Sequence, residues 1–181
     1  DTARGRLYVR QGKDKWTLLN DSDSSHIDVV PVGVSRDNRS AILDTEQTAG
    51  PDLIERYDFA TGKREPLLRD AVSDPLQFIF SLDQRVPIGA WFGPGRPQAR
   101  YWNPDDTDAK WHRALAKAFP DSEVHVASAS SDGNILVLYT ASDRDPGSFY
   151  LLDRATHKVQ LLFHGCPWLD PGQMAPAQPF A

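Results

Sequence analysis

The sequence predicts an all-β protein built from short antiparallel strands. Three observations carry this prediction: apolar residues recur with a period of two, turn-forming residues separate the apolar runs, and one turn-and-strand pattern recurs along the chain. A period of two places every second side chain on the same face of a strand, whereas a helix needs a period near 3.6. The 181 residues suit one domain or two small ones.

Six segments show the strand period clearly. Between them lie the stretches SRDNRS, ATGK, SSDGN, DRDPG and RATHK, whose Gly, Asp and Asn tolerate the dihedral angles of tight turns. Connections this short indicate that consecutive strands are antiparallel neighbours. The predicted strands cover residues 29–34, 40–45, 53–59, 134–140, 148–153 and 158–163.

One segment departs from the strand period. Residues 108–119, DAKWHRALAKAF, predict a single helix because Trp111 and Leu115 fall on one helical stripe. Thr107 or Asp108 is the expected N-cap, since short polar side chains accept hydrogen bonds from the first free backbone N–H groups of a helix.

The chain also repeats itself internally. A shift of 95 positions superposes SRDNRSAIL…YDFATGKREPLL on SSDGNILVL…LDRATHKVQLL without a gap. Midway between the two copies, residues 80–104 repeat the first half of the unit, so the period is about half of that shift. Residues 7–21 align with residues 56–70 at a shift of 49 and supply only the second half of a unit. The identical pairs at the larger shift are Ser35 and Ser130, Asp37 and Asp132, Asp58 and Asp153, Thr61 and Thr156, and Leu67 and Leu162.

A repeat of about 45 to 50 residues with four short antiparallel strands is typical of a β-propeller blade. A β-sandwich is the alternative, but it does not predict two turns that recur in register. The sequence therefore predicts an incomplete β-propeller over residues 1–163, with about three and a half four-stranded blades. These are a half blade at 7–21 and blades at about 27–68, 76–119 and 124–163, with the helix in place of the middle blade's fourth strand.

Residues 164–181, HGCPWLDPGQMAPAQPFA, are predicted to be a proline-rich exit linker. Each of its four prolines removes a backbone donor, so strands that would close a ring are not expected here. An open arc of blades leaves strand edges and an apolar face uncovered. We therefore expect the chain to be part of a larger protein or to pair with a second copy.

Three motifs in the later part of the chain, together with the helix before them, share the pattern of one enzyme family. They are the Ser-x-Asp-Gly turn at 130–133, the hairpin SDRDPGSFYLLD at 142–153 and the segment PWLDPGQMAP at 167–176. These features resemble the end of the propeller domain in the prolyl oligopeptidase family, in its acylaminoacyl-peptidase-like and dipeptidyl-peptidase-like bacterial branch.

The resemblance implies a function as well as a fold. In that family the propeller precedes an α/β-hydrolase domain that carries the catalytic serine, aspartate and histidine. The chain would then be a non-catalytic propeller fragment of a serine peptidase, restricting and guiding the access of peptide substrates to a separate catalytic domain. The implied partners are that α/β-hydrolase domain, which is missing here, and peptides.

The residues themselves contain no recognisable catalytic set. No Gly-x-Ser-x-Gly pentad occurs, and GVSRD at 33–37 lacks the second glycine of a nucleophile elbow. HGCP at 164–167 is similar to the oxyanion segment of these hydrolases, but without a hydrolase strand ahead of it we interpret it as a strand end. His164 and Cys166 lack a third, orienting group. We predict no catalytic residues and no enzyme activity for this chain alone.

Metal and cofactor sites are not predicted either. The acidic stretches at 21–25 and 103–108 lack the turn glycine and the closing glutamate of a calcium loop, and we interpret them as solvated turns and a helix cap. The five histidines show no metal-ligand spacing.

Four aromatic residues mark a candidate interaction surface. Trp91, Phe92, Tyr101 and Trp102 flank the stretch GPGRPQA, as the two facing strands of a hairpin would place them. Cross-strand packing is the favoured interpretation, and a ligand or interaction surface is the alternative.

Charge and composition limit the other partners. The net charge of -5 and the absence of any Lys/Arg run argue against nucleic acid. No apolar stretch approaches the roughly 18 to 20 residues that span a bilayer. The single cysteine excludes a disulfide within the chain and leaves the compartment open between a bacterial periplasm and the cytoplasm.

The alternative function is a stand-alone interaction or ligand-binding module. In that case self-association through exposed blade edges, as a homo-oligomer, would complete the fold.

Overall fold

The computed structural model describes residues 5–10, 12–93 and 97–177. Most of this part of the chain is strand, arranged as hairpins and four-stranded meanders, which confirms the all-β class. The strands are β1 (Arg6–Arg10), β2 (Trp16–Asp21), β3 (Val29–Val34), β4 (Ser40–Thr45), β5 (Leu53–Asp58), β6 (Arg64–Arg69), β7 (Gln77–Phe80), β8 (Pro87–Phe92), β9 (Gln98–Tyr101), β10 (Glu123–Ala129), β11 (Ile135–Ala141), β12 (Ser148–Asp153) and β13 (Lys158–His164). The helices are α1 (Ser22–Ser25) and α2 (Thr107–Ala118), and Pro171–Gln173 forms one 3-10 turn.

The strands form four sheets in which neighbours in space are also neighbours in sequence. The orders are β1-β2, β3-β4-β5-β6, β7-β8-β9 and β10-β11-β12-β13, and in the part of the chain described none of these sheets closes on itself. The sequence predicts two full blades, a blade lacking its fourth strand and a half blade. At these positions the structure has two four-stranded sheets, one three-stranded sheet and one hairpin.

The chain divides into two compact units. The first unit comprises Asp1–Ile79 and Val86–Trp102, and the second comprises Phe80–Arg85 and Asn103–Ala181. Helix α2 therefore belongs, by its packing, to the same unit as the sheet that follows it.

The Ser-x-Asp turn predicted from the repeat occurs three times with the same hydrogen bonds. In each copy the serine hydroxyl donates to the aspartate carboxylate, and the residue after the aspartate has a positive φ: 56° at Asn38, 60° at Gln84 and 70° at Gly133. This local pairing holds the backbone in a tight turn between two antiparallel strands. The oxygen–oxygen distances are 2.7 Å for Ser35 to Asp37, 2.5 Å for Ser81 to Asp83 and 2.5 Å for Ser130 to Asp132.

A second turn recurs at the other end of the two four-stranded sheets. The Asp58 carboxylate accepts from the backbone N–H of Thr61 at 2.7 Å, and the Asp153 carboxylate accepts from that of Thr156 at 3.1 Å. These donors favour the charged carboxylate, so the pKa of each aspartate lies below its ordinary value.

The two four-stranded sheets also share their irregularities. A β-bulge interrupts the pairing of β5 with β6 at Leu67 and that of β12 with β13 at Leu162. A second bulge falls at Val32 between β3 and β4 and at Ala127 between β10 and β11. Both pairs are 95 positions apart, so the repeat seen in the sequence extends to the defects of the sheets.

In the first unit, both faces of the β3–β6 sheet are covered by other strands. One face presents Ala41, Leu43 and Tyr57, and the β1-β2 hairpin packs against it through Leu7, Val9 and Leu19. Burial on both faces explains why β4 reads as the continuous apolar run Ala-Ile-Leu rather than as a strict alternation. The other face presents Ile42 and Ile54, which pack against Phe78, Ala90, Phe92 and Trp102.

In the second unit, a helix covers one face of the β10–β13 sheet. Leu115 of α2 packs against the buried Leu136, Leu138 and Leu152, and Trp111 and Phe119 pack at the margin as the helical stripe predicts. The expected N-cap was wrong by one residue: Asp106 caps the helix and accepts from the N–H of Asp108 at 2.8 Å. A carboxylate here also faces the positive end of the helix dipole.

Candidate functional site

The structure places two of the four predicted aromatic residues, Phe92 and Trp102, in or against an apolar core. Phe92 is 1% exposed, and Trp102 packs against the same apolar cluster. Trp91 and Tyr101 are half-buried on the β8-β9 hairpin, where Trp91 lies opposite Ala99 and Tyr101 lies opposite Gly89. Phe92 and Trp102 therefore act as packing residues, while a binding role for Trp91 and Tyr101 stays a prediction.

A serine, a histidine and an aspartate meet where β12 and β13 lie side by side. The Ser148 hydroxyl lies 2.8 Å from a carboxylate oxygen of Asp145 and 2.9 Å from Nδ1 of His164. Because the hydroxyl gives its only proton to the carboxylate, it accepts the second bond from an N–H at Nδ1. His164 therefore carries a proton on Nδ1, and its Nε2 faces away from the serine.

This arrangement is not a catalytic triad. In a triad the carboxylate orients the histidine and the histidine removes the serine proton, whereas here Ser148 stands between the other two and is 0% exposed. The neighbouring Gly165 N–H is also occupied, since it donates to the Gly147 carbonyl at 2.7 Å and is not free to bind an oxyanion. The group instead fixes the end of β13 against the β11-β12 loop.

The predicted linker lies against that same loop. The Ala177 N–H donates to the Asp143 carboxylate at 2.6 Å, and the Arg144 guanidinium donates to the Met174 carbonyl at 3.4 Å. At the base of the loop Gly147 has φ 142°, and a Cβ there would lie 2.5 Å from the Tyr139 ring, so only glycine fits. The described part of the segment is thus hydrogen-bonded to the β11-β12 loop at two positions.

An unexpected acidic group lies at the end of β4. One carboxylate oxygen of Asp44 is buried without a hydrogen-bond partner, and burial together with Asp52 and Asp74 raises the pKa of Asp44 to about 6. The Asp74 carboxylate in turn accepts from the Asp52 N–H at 2.9 Å, which joins the two loops that carry them. The pKa of Asp44 therefore lies well above the ordinary value of a carboxyl group.

A buried histidine is the counterpart of this group in the second unit. His112 lies on the packed side of α2 and is 9% exposed. Burial, with a smaller contribution from His125, lowers the pKa of His112 to about 4. The side chain is therefore neutral in the folded protein over the physiological range.

Neither acidic stretch singled out in the sequence forms a metal centre. Asp21 caps α1 by accepting from the Asp23 N–H at 3.1 Å, and Asp106 caps α2, as the helix-cap interpretation predicts. Among residues 5–10, 12–93 and 97–177, no three His, Cys, Asp or Glu side chains lie together as metal ligands would. The prediction that the chain binds no metal stays a prediction. In the same residues, no helix has the length and apolar character of a membrane span.

Among the described residues, two exposed apolar faces are the strongest candidates for binding. The first, called the Tyr8 face, is the outer side of the β1-β2 hairpin, where Tyr8 is 46%, Trp16 61% and Leu18 48% exposed. These side chains point away from Leu7, Val9 and Leu19, which pack inward, because neighbouring residues of a strand alternate.

The second, called the open face, is the side of the β10–β13 sheet opposite α2. Leu136 and Leu138 point toward the helix, so Val137 and Tyr139 point to the other side, where Phe149 and Phe163 lie beside Tyr139 in register. Tyr139 and Phe149 have ring centroids 5.0 Å apart, and Phe149 and Phe163 stack at 4.7 Å. Phe163 is 55% exposed, so this aromatic row ends in solvent.

Comparison with known proteins identifies no relative. No protein-family profile, no curated protein sequence and no solved structure matches the chain. The resemblance to the prolyl oligopeptidase family therefore stays a prediction based on the motifs quoted above.

The sequence predicts an uncovered apolar face on an open arc of blades, but it does not identify the residues of the two faces, the half-buried Asp44 or the buried His112. A signal for the open face was present, since β13 contains the apolar run Leu161-Leu162-Phe163. The sequence carries no comparable signal for Asp44 or His112, because their burial depends on segments distant in the chain.

Proposed function

We propose that the chain is the C-terminal part of a β-propeller that serves as a non-catalytic module of a prolyl oligopeptidase-like serine peptidase. In this role its blades restrict and guide the access of peptides to a catalytic α/β-hydrolase domain. A propeller suits such a task because rigid sheets around an axis leave a narrow passage that excludes folded proteins by size.

The observation that carries this proposal is the stacking of repeated sheets in the first unit. The β3–β6 sheet packs one face on the β1-β2 hairpin through Tyr57 and the other on the β7–β9 sheet through Ile54. Sheets that stack in chain order, with the Ser-x-Asp turn recurring between their strands, support an arrangement as consecutive propeller blades. A sandwich packs two sheets and does not continue to a third.

The non-catalytic role is supported by the one serine–histidine pair described above. Ser148 is buried and hydrogen-bonded to Asp145, and the Nδ1 of His164 already carries a proton. The pair stabilises a strand end and places no unprotonated nitrogen against the serine hydroxyl.

Two measurements test the proposal. The chain of residues 1–181 should not react with a fluorophosphonate probe of serine hydrolases and should not cleave fluorogenic peptides, whereas the whole product of its gene should do both. Reaction of the chain that disappears in Ser148→Ala would contradict the non-catalytic role. A reading frame that encodes no Gly-x-Ser-x-Gly hydrolase segment beside this region would contradict the link to a peptidase.

A stand-alone interaction module is the second candidate, and the exposed Tyr8 and open faces favour it. Apolar patches of this kind mark interaction sites on soluble proteins. A gene whose reading frame contains only this region would favour this candidate over the first.

A further inference from the structure

We propose that, in the chain of residues 1–181 taken by itself, the open face of one molecule binds the Tyr8 face of a second copy, so that this chain assembles head to tail. The inference rests on the blade-type stacking proposed above, but it is independent of any link to a peptidase. Three observations support it. The repeat counterpart of each face is covered within the chain, the two faces correspond to the two sides of one junction, and their charges are opposite.

The internal repeat identifies what normally covers the open face. Val137, Phe149 and Phe163 lie 95 positions after Ile42, Ile54 and Leu68. In the first unit these three counterparts pack against the next sheet, through Ala90 and Phe92 among others. The open face is thus the same kind of surface as one that this chain covers with a sheet.

The repeat also identifies what covers the counterpart of the Tyr8 face. Tyr8 lies 49 positions before Tyr57, which is 6% exposed because the hairpin ahead of it packs on its ring. Tyr8 is 46% exposed. The Tyr8 face therefore corresponds to the side of a sheet that receives the preceding sheet, and the open face corresponds to the side that receives the following one. The two faces are the complementary halves of a junction that the chain makes twice within the first unit.

The charges around the two faces are also complementary. Beside Tyr8, the same side of the hairpin carries Arg6 and Arg10 against a single acid, Asp21, which lies 2.8 Å from Arg6. On the open face, the residues that share the side of Tyr139 include the acids Glu123, opposite Ala141, and Asp153, opposite Ile135. The basic side chains there are Lys158, opposite Asp153, and His125, whose Nε2 lies 3.6 Å from a carboxylate oxygen of Glu123. An excess of positive charge on one face and of negative charge on the other favours pairing of unlike faces over pairing of like faces.

A contact between different faces of identical molecules is heterologous. Such contacts form closed rings when the rotation between copies closes and open chains when it does not. The size of the assembly should therefore depend on protein concentration, and it should decrease with salt because the charges at its margins are exposed.

Sedimentation velocity over a wide concentration range tests the contact. The wild-type chain should form dimers and larger species. Phe163→Ser, in the open face, and Tyr8→Ser, in the Tyr8 face, should each raise the dissociation constant at least tenfold. Val72→Ser is the matched control, because Val72 is 75% exposed and lies on neither face, and it should assemble like the wild type. Circular dichroism of each variant establishes that it is folded.

Mixing the variants distinguishes this contact from a symmetric one. Tyr8→Ser keeps an intact open face and Phe163→Ser keeps an intact Tyr8 face, so an equimolar mixture should form a 1:1 dimer that does not grow further. A wild-type chain that stays monomeric at the highest concentration would overturn the inference. It would equally be overturned if Tyr8→Ser assembled like the wild type, or if the mixture failed to form the dimer.

Discussion

The β3–β6 and β10–β13 sheets are two versions of one unit that differ in what covers them. Both have four strands in sequence order, the same two aspartate turns and bulges at matching positions. The first sheet is covered by strands on both faces, whereas the second has a helix on one face and exposes Phe163 on the other. The comparison shows that the strand order and turns of such a sheet depend on its local sequence, whereas the burial of its faces depends on the segments that pack against it.

The two sheets also differ in the buried ionisable group that they tolerate. The first carries Asp44 next to other acids, and the second lies beside the neutral His112 of α2. Burial disfavours the negative charge of Asp44 in the first unit and the positive charge of His112 in the second. The stability of the first unit therefore decreases as the pH rises, whereas that of the second unit decreases as the pH falls.

The largest expected effect is on the free energy of unfolding, when a side chain in a covered face is removed instead of one in an exposed face. Ile54 is 0% exposed, and Ile54→Ala should lower the free energy of unfolding by about 3 kcal/mol through lost burial and a cavity. Phe163→Ala removes a larger side chain, but one that is 55% exposed, and should cost about 1 kcal/mol in the monomer. Denaturant unfolding at low protein concentration, with hydrogen exchange to assign the loss to a sheet, measures both.

Leu43→Ala and Leu138→Ala are the controls for this comparison. These leucines are 95 positions apart and are 1% and 0% exposed, so their substitutions should cost similar amounts, about 3 kcal/mol each. A loss for Phe163→Ala equal to that for Ile54→Ala would show that the open face is covered in the free chain.

The next effect is the acid sensitivity of the second unit. The pKa of His112 falls from 6.5 to about 4 on folding, so the unfolded chain binds the proton more readily. Stability is therefore full above pH 6.5 and decreases as the pH falls toward 4, by about 3 kcal/mol. His112→Leu should flatten this dependence in the β10–β13 sheet, as read by hydrogen exchange.

His26→Asn is the control for this prediction, since His26 is exposed and lies in the first unit. It should leave the acid response of the second unit unchanged. If His112→Leu retained the full loss of stability below pH 6.5, another group would be responsible.

The smallest effect is expected at Asp44. Its pKa rises from 3.8 to about 6 on folding, so the folded state binds the proton more readily and stability falls as the pH rises through this interval. Asp44→Asn should therefore stabilise the first unit at pH 7 by about 1 kcal/mol, after allowance for solvent screening. The gain should vanish below pH 4.

Thermal unfolding of Asp44→Asn at pH 7 and pH 4 measures this difference. Asp28→Asn, at an exposed carboxylate of the same unit, is the control and should change stability little at either pH. Equal stabilisation by Asp44→Asn at both pH values would exclude titration of Asp44 as the cause.

Most of the local structure could be predicted from the sequence. The predicted strands at 29–34, 40–45 and 148–153 have the observed bounds, and the helix is displaced by one residue. These features depend on interactions between residues close in the chain, such as the bond from Ser130 to Asp132 two positions away. Period and turn chemistry are therefore sufficient to locate them.

The candidate sites were predicted less well because they depend on distant segments. Phe92 and Trp102 are aromatic residues on a predicted hairpin, but only the packing of Ile42 and Ile54 against them decides that they belong to a core. Ser148 and His164 are 16 positions apart, and only the register of β12 with β13 brings them together.

The sequence by itself determined the all-β class, the bounds of three strands, the recurring turns and the repeat. These follow from side-chain alternation and hydrogen bonds within a few residues, which each segment carries wherever it lies. The tertiary structure alone decided which faces are covered, and therefore the burial of Asp44 and His112 and the exposure of Tyr8 and Phe163. Burial is a property of two surfaces in contact, and the second surface comes from another part of the chain or from another molecule.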